Sequence, residues 1–584
     1  MAELCQKGEC RLRRRGIENT STLTFRAVLA YNAVRRSNMA SPCIRLLLAA
    51  FVACLVSGIE CLAQEDTLKP VPDEIRFEAC LPNQSNIGRP LPLAAHWNTG
   101  QLPTGFTPDY QMHMIDQGHY LLPWFQLPSP GSTAPGDQYF EGAIKKAAAL
   151  NLPISFVSTQ WEQQLTLDPA YFSLPADQNP NVVGMDGTIQ QELDPMGPAD
   201  PWRAVGISWT SNSELQKLQQ WYPAPPLVIF VSNNEAGKLQ WYDAETSRRY
   251  VAKFGLGRDD NFKRKVVGDG WTPLYRALQG GMRDGLGHWS RNATFIGYDA
   301  FGPSFFGRWD GWMVYSLYAP GRIDPSPLAW DGCSATYYLV NWSPITDYQV
   351  WSPQIESMNW ILMLNEAYAL NPGFWFEIST WDGDAPEREY FASQGQTYTP
   401  DRYGGMVKFG MWLLRPRVVR EYRNYNDTVA DAGPYFLSVM AAVDAVHTNP
   451  ILRKFWRNGV LVDNPAYLHP YQSIIPGEYQ TAKRWFLLNA ALDPPHPWSL
   501  YTGLPVYALA LVLGQHPQRE WLVYTFSPLG PQIGVSVTLP DYGPIKVDAT
   551  PAGCYYDVVE ATSSINPINT NTAPPDGFRL IGGN

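Results

Sequence analysis

Short apolar segments alternate with longer helical ones from about residue 88 onward, and this alternation constrains the fold more than any other feature of the chain. It is typical of parallel strands, because each return to the start of the next strand needs a crossover helix. Eight segments with strand character occur within roughly 320 residues, which is the size of a closed barrel with insertions. The predicted strands are Pro92–Trp97, Tyr120–Phe125, Pro153–Ser158, Leu227–Ser232, Thr294–Tyr298, Thr336–Val340, Phe374–Ile378 and Met406–Trp412.

Beyond the barrel the pattern changes to strands separated by Pro and Gly turns, which is typical of an all-β sandwich. We therefore predict an α/β fold class, with a (β/α)8 TIM barrel over 88–445, a connecting segment over 446–482 and a C-terminal all-β sandwich domain over 483–562. Residues 64–87 lead into the barrel. Residues 563–584 contain few apolar side chains, and we expect them to form a flexible tail.

The N-terminal region has the pattern of a secretory signal peptide. Arg45 precedes the apolar run Leu46–Ile59, and small residues follow it at a suitable cleavage point. The run is too short to cross a membrane comfortably. We therefore expect translation to start at Met39, with residues 1–38 as an over-called start and residues 39–63 as the signal peptide. The mature protein is then expected to be secreted or periplasmic, with no membrane attachment after cleavage.

Composition excludes some partners and favours another. The formal net charge is −10, and after the N-terminus there is no basic stripe of the kind that nucleic acid binding requires. Aromatic residues make up 13% of the chain, with 22 Trp and 31 Tyr. Aromatic faces stack on sugar rings, and Trp and Tyr also carry a polar group. The composition therefore favours a carbohydrate partner.

No motif indicates a cofactor or a metal. P-loop, Rossmann and HExxH patterns do not occur, and Asp382-Gly383-Asp384 lacks the rest of a calcium loop. After the predicted cleavage site the cysteines that remain are Cys80, Cys333 and Cys554. Their wide spacing forms neither a disulfide framework nor a metal site, and whether one bridge forms among them is left open.

Two glutamates occupy positions where a barrel carries its chemistry, the carboxyl ends of the strands. Glu235 follows the fourth predicted strand in VIFVSNNE, and Glu377 lies near the end of the seventh in GFWFEISTW. Cleavage of a glycosidic bond needs one carboxylic acid to protonate the leaving oxygen and one carboxylate to attack or to activate water. The pair therefore predicts a glycoside hydrolase.

The same residues resemble those of the clan A retaining glycoside hydrolases, which carry Asn-Glu at the end of strand four and a second Glu at the end of strand seven. The resemblance covers roughly 88–445 and does not single out one family of the clan. It implies that Glu235 is the acid/base, that Asn234 binds the sugar 2-hydroxyl and that Glu377 is the nucleophile. A second Asn-Glu pair ends at Glu366, late in a predicted helix, and is therefore expected at the opposite end of the barrel.

Other residues near strand ends are candidates to line the barrel mouth. Tyr338 and Trp412 loosely resemble the clan's Tyr on strand six that contacts the nucleophile and its Trp after strand eight that lies under the sugar. For His96, a structural role inside the barrel is an open alternative. The predicted substrate-binding residues besides Asn234 are His96, Trp97, Trp124, Trp161, Tyr298, Tyr338, Trp381 and Trp412, and lower-ranked neighbours are Asn98, Gln126, Glu162, Asp299 and Asn341.

The favoured function is a retaining glycosidase that acts on an extracellular poly- or oligosaccharide. A first alternative is a carbohydrate-binding barrel without catalysis, in which one of the two glutamates is misplaced or buried. A second is different chemistry on the same fold, either a polysaccharide lyase or a metal-dependent hydrolase. The lack of a His/Asp cluster at ligand spacing counts against the metal-dependent form.

Overall fold

The structure of the protein is a computed structural model. It describes residues 93–97, 124–125, 144–158, 160–211, 213–232, 237–299, 329–338, 373, 375–383, 388–389, 392–393, 398–422, 429–462, 487–488, 506–528 and 530–570.

Eight parallel strands close into a barrel, with neighbours in chain order around the ring. A two-stranded hairpin, β4–β5, is inserted between the third and fourth barrel strands. The strands are β1 (Leu93–Trp97), β2 (Trp124–Phe125), β3 (Ile154–Ser158), β4 (Asn181–Val183), β5 (Ile189–Leu193), β6 (Val228–Ser232), β7 (Ala293–Asp299), β8 (Gly332–Tyr338), β9 (Trp375–Trp381) and β10 (Val418–Glu421). The fourth barrel strand is therefore β6, and the seventh is β9.

Helices accompany the barrel strands and continue after them. They are residues 144–149, α1 (Gln160–Leu167), α2 (Pro169–Phe172), α3 (Asp200–Thr210), α4 (Ser213–Trp221), α5 (Arg248–Phe254), α6 (Asp260–Leu286), α7 (Pro400–Leu414), α8 (Val429–Thr448) and α9 (Pro450–Asn458). Short 3-10 helices cover Trp241–Thr246, Gly287–Asn292 and Glu560–Thr562.

The core outside the barrel is built on alternate residues of the strands. Phe156 of β3, Phe230 of β6 and Phe295 of β7 form a stacked row, with ring centroids 5.3 Å and 5.2 Å apart. This row packs against buried residues of the surrounding helices. Because strand side chains alternate between the two faces, the residues between these phenylalanines face the barrel interior.

The eighth predicted strand is wrong. Seven of the eight predicted strands overlap strands of the barrel, but Met406–Trp412 lies inside α7, and the eighth strand is Val418–Glu421. Every residue of α7 from Arg402 to Leu414 is buried, so the helix has no polar face and its sequence shows no helical period. The start of the helix is marked by Thr399, whose side chain accepts a hydrogen bond from the Arg402 amide.

The C-terminal strands form two antiparallel sheets that share a hydrophobic core. One sheet has the order β11-β13-β14-β17-β18, with β12 also paired to β13, and β15 and β16 form the other. Residues of both sheets contribute to one buried cluster. The strands are β11 (Val460–Leu461), β12 (Leu487–Leu488), β13 (Tyr507–Leu513), β14 (Glu520–Phe526), β15 (Gln532–Leu539), β16 (Gly543–Ala549), β17 (Cys554–Val559) and β18 (Ser564–Ile568).

The last strand corrects the predicted tail. β18 lies within the segment 563–584 that was expected to be flexible, and it pairs with β17 over five residues. Its sequence, SINPI, has only two apolar residues, so it gave no strand signal. The strand forms because β17 offers it an edge with free backbone donors and acceptors.

The barrel and the C-terminal sheets meet across α7 within one compact unit. Lys408 Nζ donates to the Ala552 carbonyl at 3.0 Å, and Tyr524 Oη donates to the Gly405 carbonyl. Within the described ranges no helix is long and apolar enough to cross a membrane.

Candidate active site

Glu377 lies inside the barrel, well below the end of its strand. It is the third of the seven residues of β9, level with Ser334 of β8 and with Val418 at the start of β10. At about 3.3 Å per residue it lies about 13 Å before the carboxyl end of the strand. The expectation that Glu377 lies near the end is therefore wrong. The strand was predicted to stop at Ile378, but it continues through Thr380, which pairs with both neighbouring strands.

The Glu377 carboxylate makes a bidentate ion pair with Arg420 of β10. Arg420 Nη2 donates to Glu377 Oε1 at 2.6 Å, and Arg420 Nε donates to Glu377 Oε2. Arg420 Nη1 donates to Ser155 Oγ of β3 at 2.7 Å, across the barrel interior. All three side chains are fully buried. Burying two charges costs several kcal/mol for each ion, and paired geometry of this kind is what offsets that cost.

Arg420 and Ser155 are residues that sequence reasoning missed. Arg420 stands in a short VVRE segment that was not recognised as a strand. An arginine within an apolar segment is a signal that could have found it. Arginine is almost never fully buried unless it is paired, so such a residue indicates a buried ion pair. Its partner Glu377 is likewise a charged residue within an apolar strand.

The end of the fourth barrel strand carries a buried polar contact. Ser232, the last residue of β6, donates from Oγ to Glu162 Oε1 at 2.5 Å, and both side chains are fully buried. Glu162 belongs to the first turn of α1, which follows β3 directly. Asn234 and Glu235, the predicted sugar-binding residue and acid/base, lie outside the described residues.

Several predicted substrate-binding residues are at strand ends, as expected. Trp97, Tyr338 and Trp381 are the last residues of β1, β8 and β9, and Tyr338 and Trp381 are paired in register. Trp381 is half-buried and contacts Tyr422 edge-to-face, with ring centroids 5.3 Å apart. His96 of β1 is in register with Trp124 of β2, and Tyr298 is the next-to-last residue of β7.

Comparison with known proteins gives matches at the level of structure alone. No protein-family model matches the chain. No curated protein matches it. Among solved structures, a GH30 endoxylanase from Clostridium papyrosolvens C71 is similar with a TM-score of 0.35 and 8% identity, over 79% of this chain and 94% of that one.

Two further structures are similar over a smaller share of the chain. A β-galactosidase from the psychrophilic Marinomonas ef1 has a TM-score of 0.33 and 9% identity, over 63% of this chain and 62% of that one. A trimodular GH5_4 subfamily endoglucanase has a TM-score of 0.31 and 11% identity, over 62% of each chain. The structural neighbours are glycoside hydrolases.

Trp161 does not line the mouth. It is 1% exposed, belongs to α1 and packs edge-to-face on Phe230, with ring centroids 5.9 Å apart. Phe230 faces the helices, so Trp161 belongs to the core between barrel and helices. The position directly after β3 suggested a mouth residue, but α1 begins there and turns the ring inward against the strands.

Trp412 does not line the mouth either. It lies in α7, fully buried, and its Nε1 donates to Tyr555 Oη of β17 at 2.9 Å. It also contacts Trp456 of α9 edge-to-face at 5.1 Å between centroids. Trp412 was predicted at the mouth because the segment 406–412 was taken for the eighth strand. Its hydrogen bond to Tyr555 instead joins α7 to the C-terminal sheet.

Asp382, considered above for calcium, takes part in an ion-pair network. Arg388 donates from Nη1 to Asp382 Oδ2 at 2.5 Å, and its Nη2 lies 2.6 Å from Asp431 Oδ1. The guanidinium also lies over the Tyr435 ring, 4.8 Å from its centroid. In the part of the chain that the structure describes, no group of three His, Cys, Asp or Glu residues is arranged to hold a metal.

Proposed function

We propose that this chain is a retaining glycoside hydrolase that cleaves an extracellular poly- or oligosaccharide by double displacement. Glu377 is the nucleophile, Glu235 is the acid/base, and Asn234 binds the sugar 2-hydroxyl. The observation that carries the proposal is the strand count in the closed barrel. Glu235 comes three residues after the fourth strand, β6, and Glu377 belongs to the seventh, β9.

The ion pair with Arg420 fixes the Glu377 carboxylate in the barrel. A guanidinium is always charged, and its fork matches the two carboxylate oxygens. Two N–H bonds hold the carboxylate in one orientation.

The proposal includes the fold and the location of the protein. We propose a complete (β/α)8 barrel over 88–445 and a β-sandwich in the C-terminal region, and the closed ring of strands and the two sheets with a common core support both. We also propose export through the signal peptide at 39–63. That segment lies outside the described residues, so the support comes from its sequence.

Substitution of the two glutamates tests the function. Glu377→Gln removes the nucleophile and should abolish turnover of aryl glycosides and polysaccharides. Glu235→Ala should slow substrates with poor leaving groups most, because a good leaving group needs no proton. Azide should then rescue the Glu235→Ala variant as a glycosyl azide of retained configuration. Glu366→Gln, in the other Asn-Glu pair, is the control and should keep full activity.

A non-catalytic carbohydrate-binding barrel is a second candidate, and one observation favours it. Glu377 is fully buried, and both of its oxygens are occupied by Arg420, as expected of a glutamate with a structural role. The migration of such a protein would be slowed by polysaccharide in an affinity electrophoresis gel, and it would release no sugar. In that case Glu377→Gln should lower stability, because Arg420 loses its partner, but the folded variant should bind polysaccharide as the wild type does. Neither protein should release sugar.

A further inference from the structure

An aromatic pair lies where the seventh and eighth barrel strands end. Trp381 is the last residue of β9, and Tyr422 directly follows β10. Their rings meet edge-to-face, with centroids 5.3 Å apart and an angle of 86° between the planes. Both residues are half-buried, so both remain partly accessible to solvent. A ligand that approaches this part of the barrel mouth therefore meets two aromatic side chains.

The aromatic pair belongs to the interior face of the strands. Glu377 and Trp381 are four residues apart on β9, and because strand side chains alternate, both point to the same side. Tyr422 comes two residues after Arg420, and its amide continues the ladder by donating to the Thr380 carbonyl at 2.8 Å. Trp381 is about 13 Å farther along the strand than Glu377, so a ligand reaches the pair without entering the buried layer.

Arg388 holds the backbone that directly follows Trp381. It donates from Nη1 to Asp382 Oδ2 at 2.5 Å and to the Gly383 carbonyl. The Asp382 side chain is fully buried. Gly383 has a φ of +78°, in the left-handed region that favours glycine. The two residues after the Trp381 side chain are therefore fixed in one conformation.

The same guanidinium contacts the helix that follows the eighth strand. Its Nη2 lies 2.6 Å from Asp431 Oδ1 of α8, and it lies over the Tyr435 ring, 4.8 Å from the centroid. Tyr435 Oη in turn donates to the Tyr398 carbonyl at 3.1 Å. Arg388 therefore joins the chain after β9 to the helix after β10, and these are the two strands whose ends carry the aromatic pair.

The ion pair of Arg388 and Asp382 is an expensive way to fill space. The Arg388 side chain is 10% exposed and that of Asp382 is 0% exposed. Removing two charges from water is costly, and apolar residues of similar volume often stabilise a fold as well or better. What the guanidinium provides is direction, because its planar fork fixes the geometry of several hydrogen bonds at once.

We propose that Trp381 and Tyr422 form a sugar-stacking surface and that Arg388 is the positioning residue that fixes it. The inference rests on the carbohydrate ligand of the proposed function, which the hydrolase and the non-catalytic barrel have in common. Aromatic faces stack on sugar rings, and a pair held at one angle loses little freedom when it binds. Without Arg388 the chain after β9 is free to turn, and Trp381 loses its orientation relative to Tyr422.

Binding of polysaccharide, measured apart from turnover, tests the surface. Soluble glucans, xylans, mannans and galactans are screened by affinity electrophoresis of the full chain. A hexasaccharide of the polysaccharide that slows the chain most then gives a Kd by calorimetry, in the Glu235→Gln background if the wild type cleaves it. Trp381→Ala and Tyr422→Ala should each raise the Kd about tenfold or more. Tyr422→Phe keeps the ring and should stay within about threefold.

Variants of the ion-pair network test the positioning role. Arg388→Met should raise the Kd about tenfold, because the Trp381 side chain is no longer held in place. Arg388→Lys keeps the charge without the fork and should recover only part of the loss. Asp431→Asn leaves the buried Asp382 paired with Arg388, so it should fold even if Arg388→Met does not, and it should raise the Kd about threefold.

Arg415→Met is the matched control. Arg415 is also a buried arginine, donates to the carbonyls of Phe455 and Gly459 at 3.2 Å each, and lies over an aromatic ring, 5.1 Å from its centroid. It precedes β10, at the opposite end of this strand from Tyr422. Arg415→Met should therefore lower the melting temperature as Arg388→Met does, but keep the Kd of the wild type.

Three results would overturn the inference while the proposed function stands. A cleaving wild type with an unchanged Kd in Trp381→Ala and Tyr422→Ala contradicts the sugar-stacking surface. An unchanged Kd in both Arg388→Met and Asp431→Asn contradicts the positioning role. Equal losses of affinity in Arg388→Met and Arg415→Met, in step with a lower melting temperature, indicate a structural role and contradict it as well.

The remaining results separate the inference from the proposed function. A wild type that binds polysaccharide through these residues but releases no sugar supports the inference and overturns the proposed hydrolase. A wild type that neither binds nor cleaves any of the four polysaccharides overturns both.

Discussion

At the scale of single residues, the Glu377–Arg420 pair links β9 and β10 inside the barrel. The two side chains are fully buried and bonded to each other at both carboxylate oxygens. Such a pair gains little over an apolar replacement of both partners, but the loss of one partner leaves a buried charge without compensation. The consequence is a strong energetic coupling between β9 and β10.

A double-mutant cycle measures this coupling. Arg420→Met should lower the free energy of unfolding by about 3–5 kcal/mol, and adding Glu377→Gln should restore much of it. Ser155→Ala leaves the pair intact and should cost only about 1–2 kcal/mol. Urea unfolding of the wild type, of Arg420→Met, of Glu377→Gln, of the double variant and of Ser155→Ala gives the five free energies that the comparison needs. Additive effects of the two substitutions would mean that the pair is not coupled as the geometry indicates.

Lys408 makes the stability of the chain depend on pH. Burial lowers its pKa from the ordinary 10.5 to about 8, against the opposing effect of Asp401 and Cys554. Between about pH 8 and pH 10.5, Lys408 is protonated in the unfolded chain and neutral in the folded one. The unfolded chain therefore binds more protons, and the Lys408 contribution to stability rises with pH. The penalty for burying the ammonium is fully present below pH 8 and is lost as the pH approaches 10.5.

Replacement of Lys408 by Met should remove this dependence. From pH 7 to pH 10.5, the difference in unfolding free energy between variant and wild type should move by about 3 kcal/mol in favour of the wild type. Lys546→Met is the control, since Lys546 is exposed on β16. Denaturation at several pH values gives the comparison. A constant difference across this range would contradict the pKa shift.

At the scale of elements, α3 and α6 cross at glycines that allow their backbones to touch. A Cβ atom on Gly281 of α6 would lie against the backbone of Arg203 in α3, and one on Gly206 of α3 would meet the backbone of Leu278. Gly280 differs, because a Cβ there would meet only the far end of the flexible Arg203 side chain, at 2.9 Å. Neighbouring glycines in one helix therefore have different roles.

Alanine at these two positions should have opposite effects. Gly280→Ala gains helix propensity and should be neutral or stabilising by up to about 1 kcal/mol. Gly281→Ala forces the helices apart and should lower the free energy of unfolding by about 1–3 kcal/mol despite the same gain. Thermal unfolding of the Gly280→Ala and Gly281→Ala variants, compared with the wild type, measures both effects. Equal effects of the two substitutions would show that the helices are not in backbone contact.

Sequence patterns predicted elements best where an apolar segment is bounded by polar or turn-forming residues. The strands around Phe156 and Phe230 have clear bounds because an apolar segment meets a polar one. The α7 helix was misassigned because it is buried on all sides, so neither helical nor strand periodicity survives in MVKFGMW. β10 was missed because two of its four residues, Arg420 and Glu421, are charged, so its sequence does not look like a buried strand.

At the scale of the whole molecule, the barrel could be predicted and its interior contacts could not. Alternating segments predict a parallel sheet locally, but Ser155, Glu377 and Arg420 come together only when the ring closes. The same holds for Trp412, whose partner Tyr555 is 143 residues away. Side-chain partners in a closed barrel depend on strand register, which a single sequence does not specify.

The covalent intermediate tests the proposed nucleophile most directly. Incubation with a panel of activated fluorosugar glycosides, which slow the second displacement, should trap a glycosyl-enzyme. Mass spectrometry of the intact chain and of its peptides should show one added sugar, attached to Glu377 and absent from the Glu377→Gln variant. Label on another carboxylate, or turnover of the same sugars with inverted configuration, would contradict the assignment.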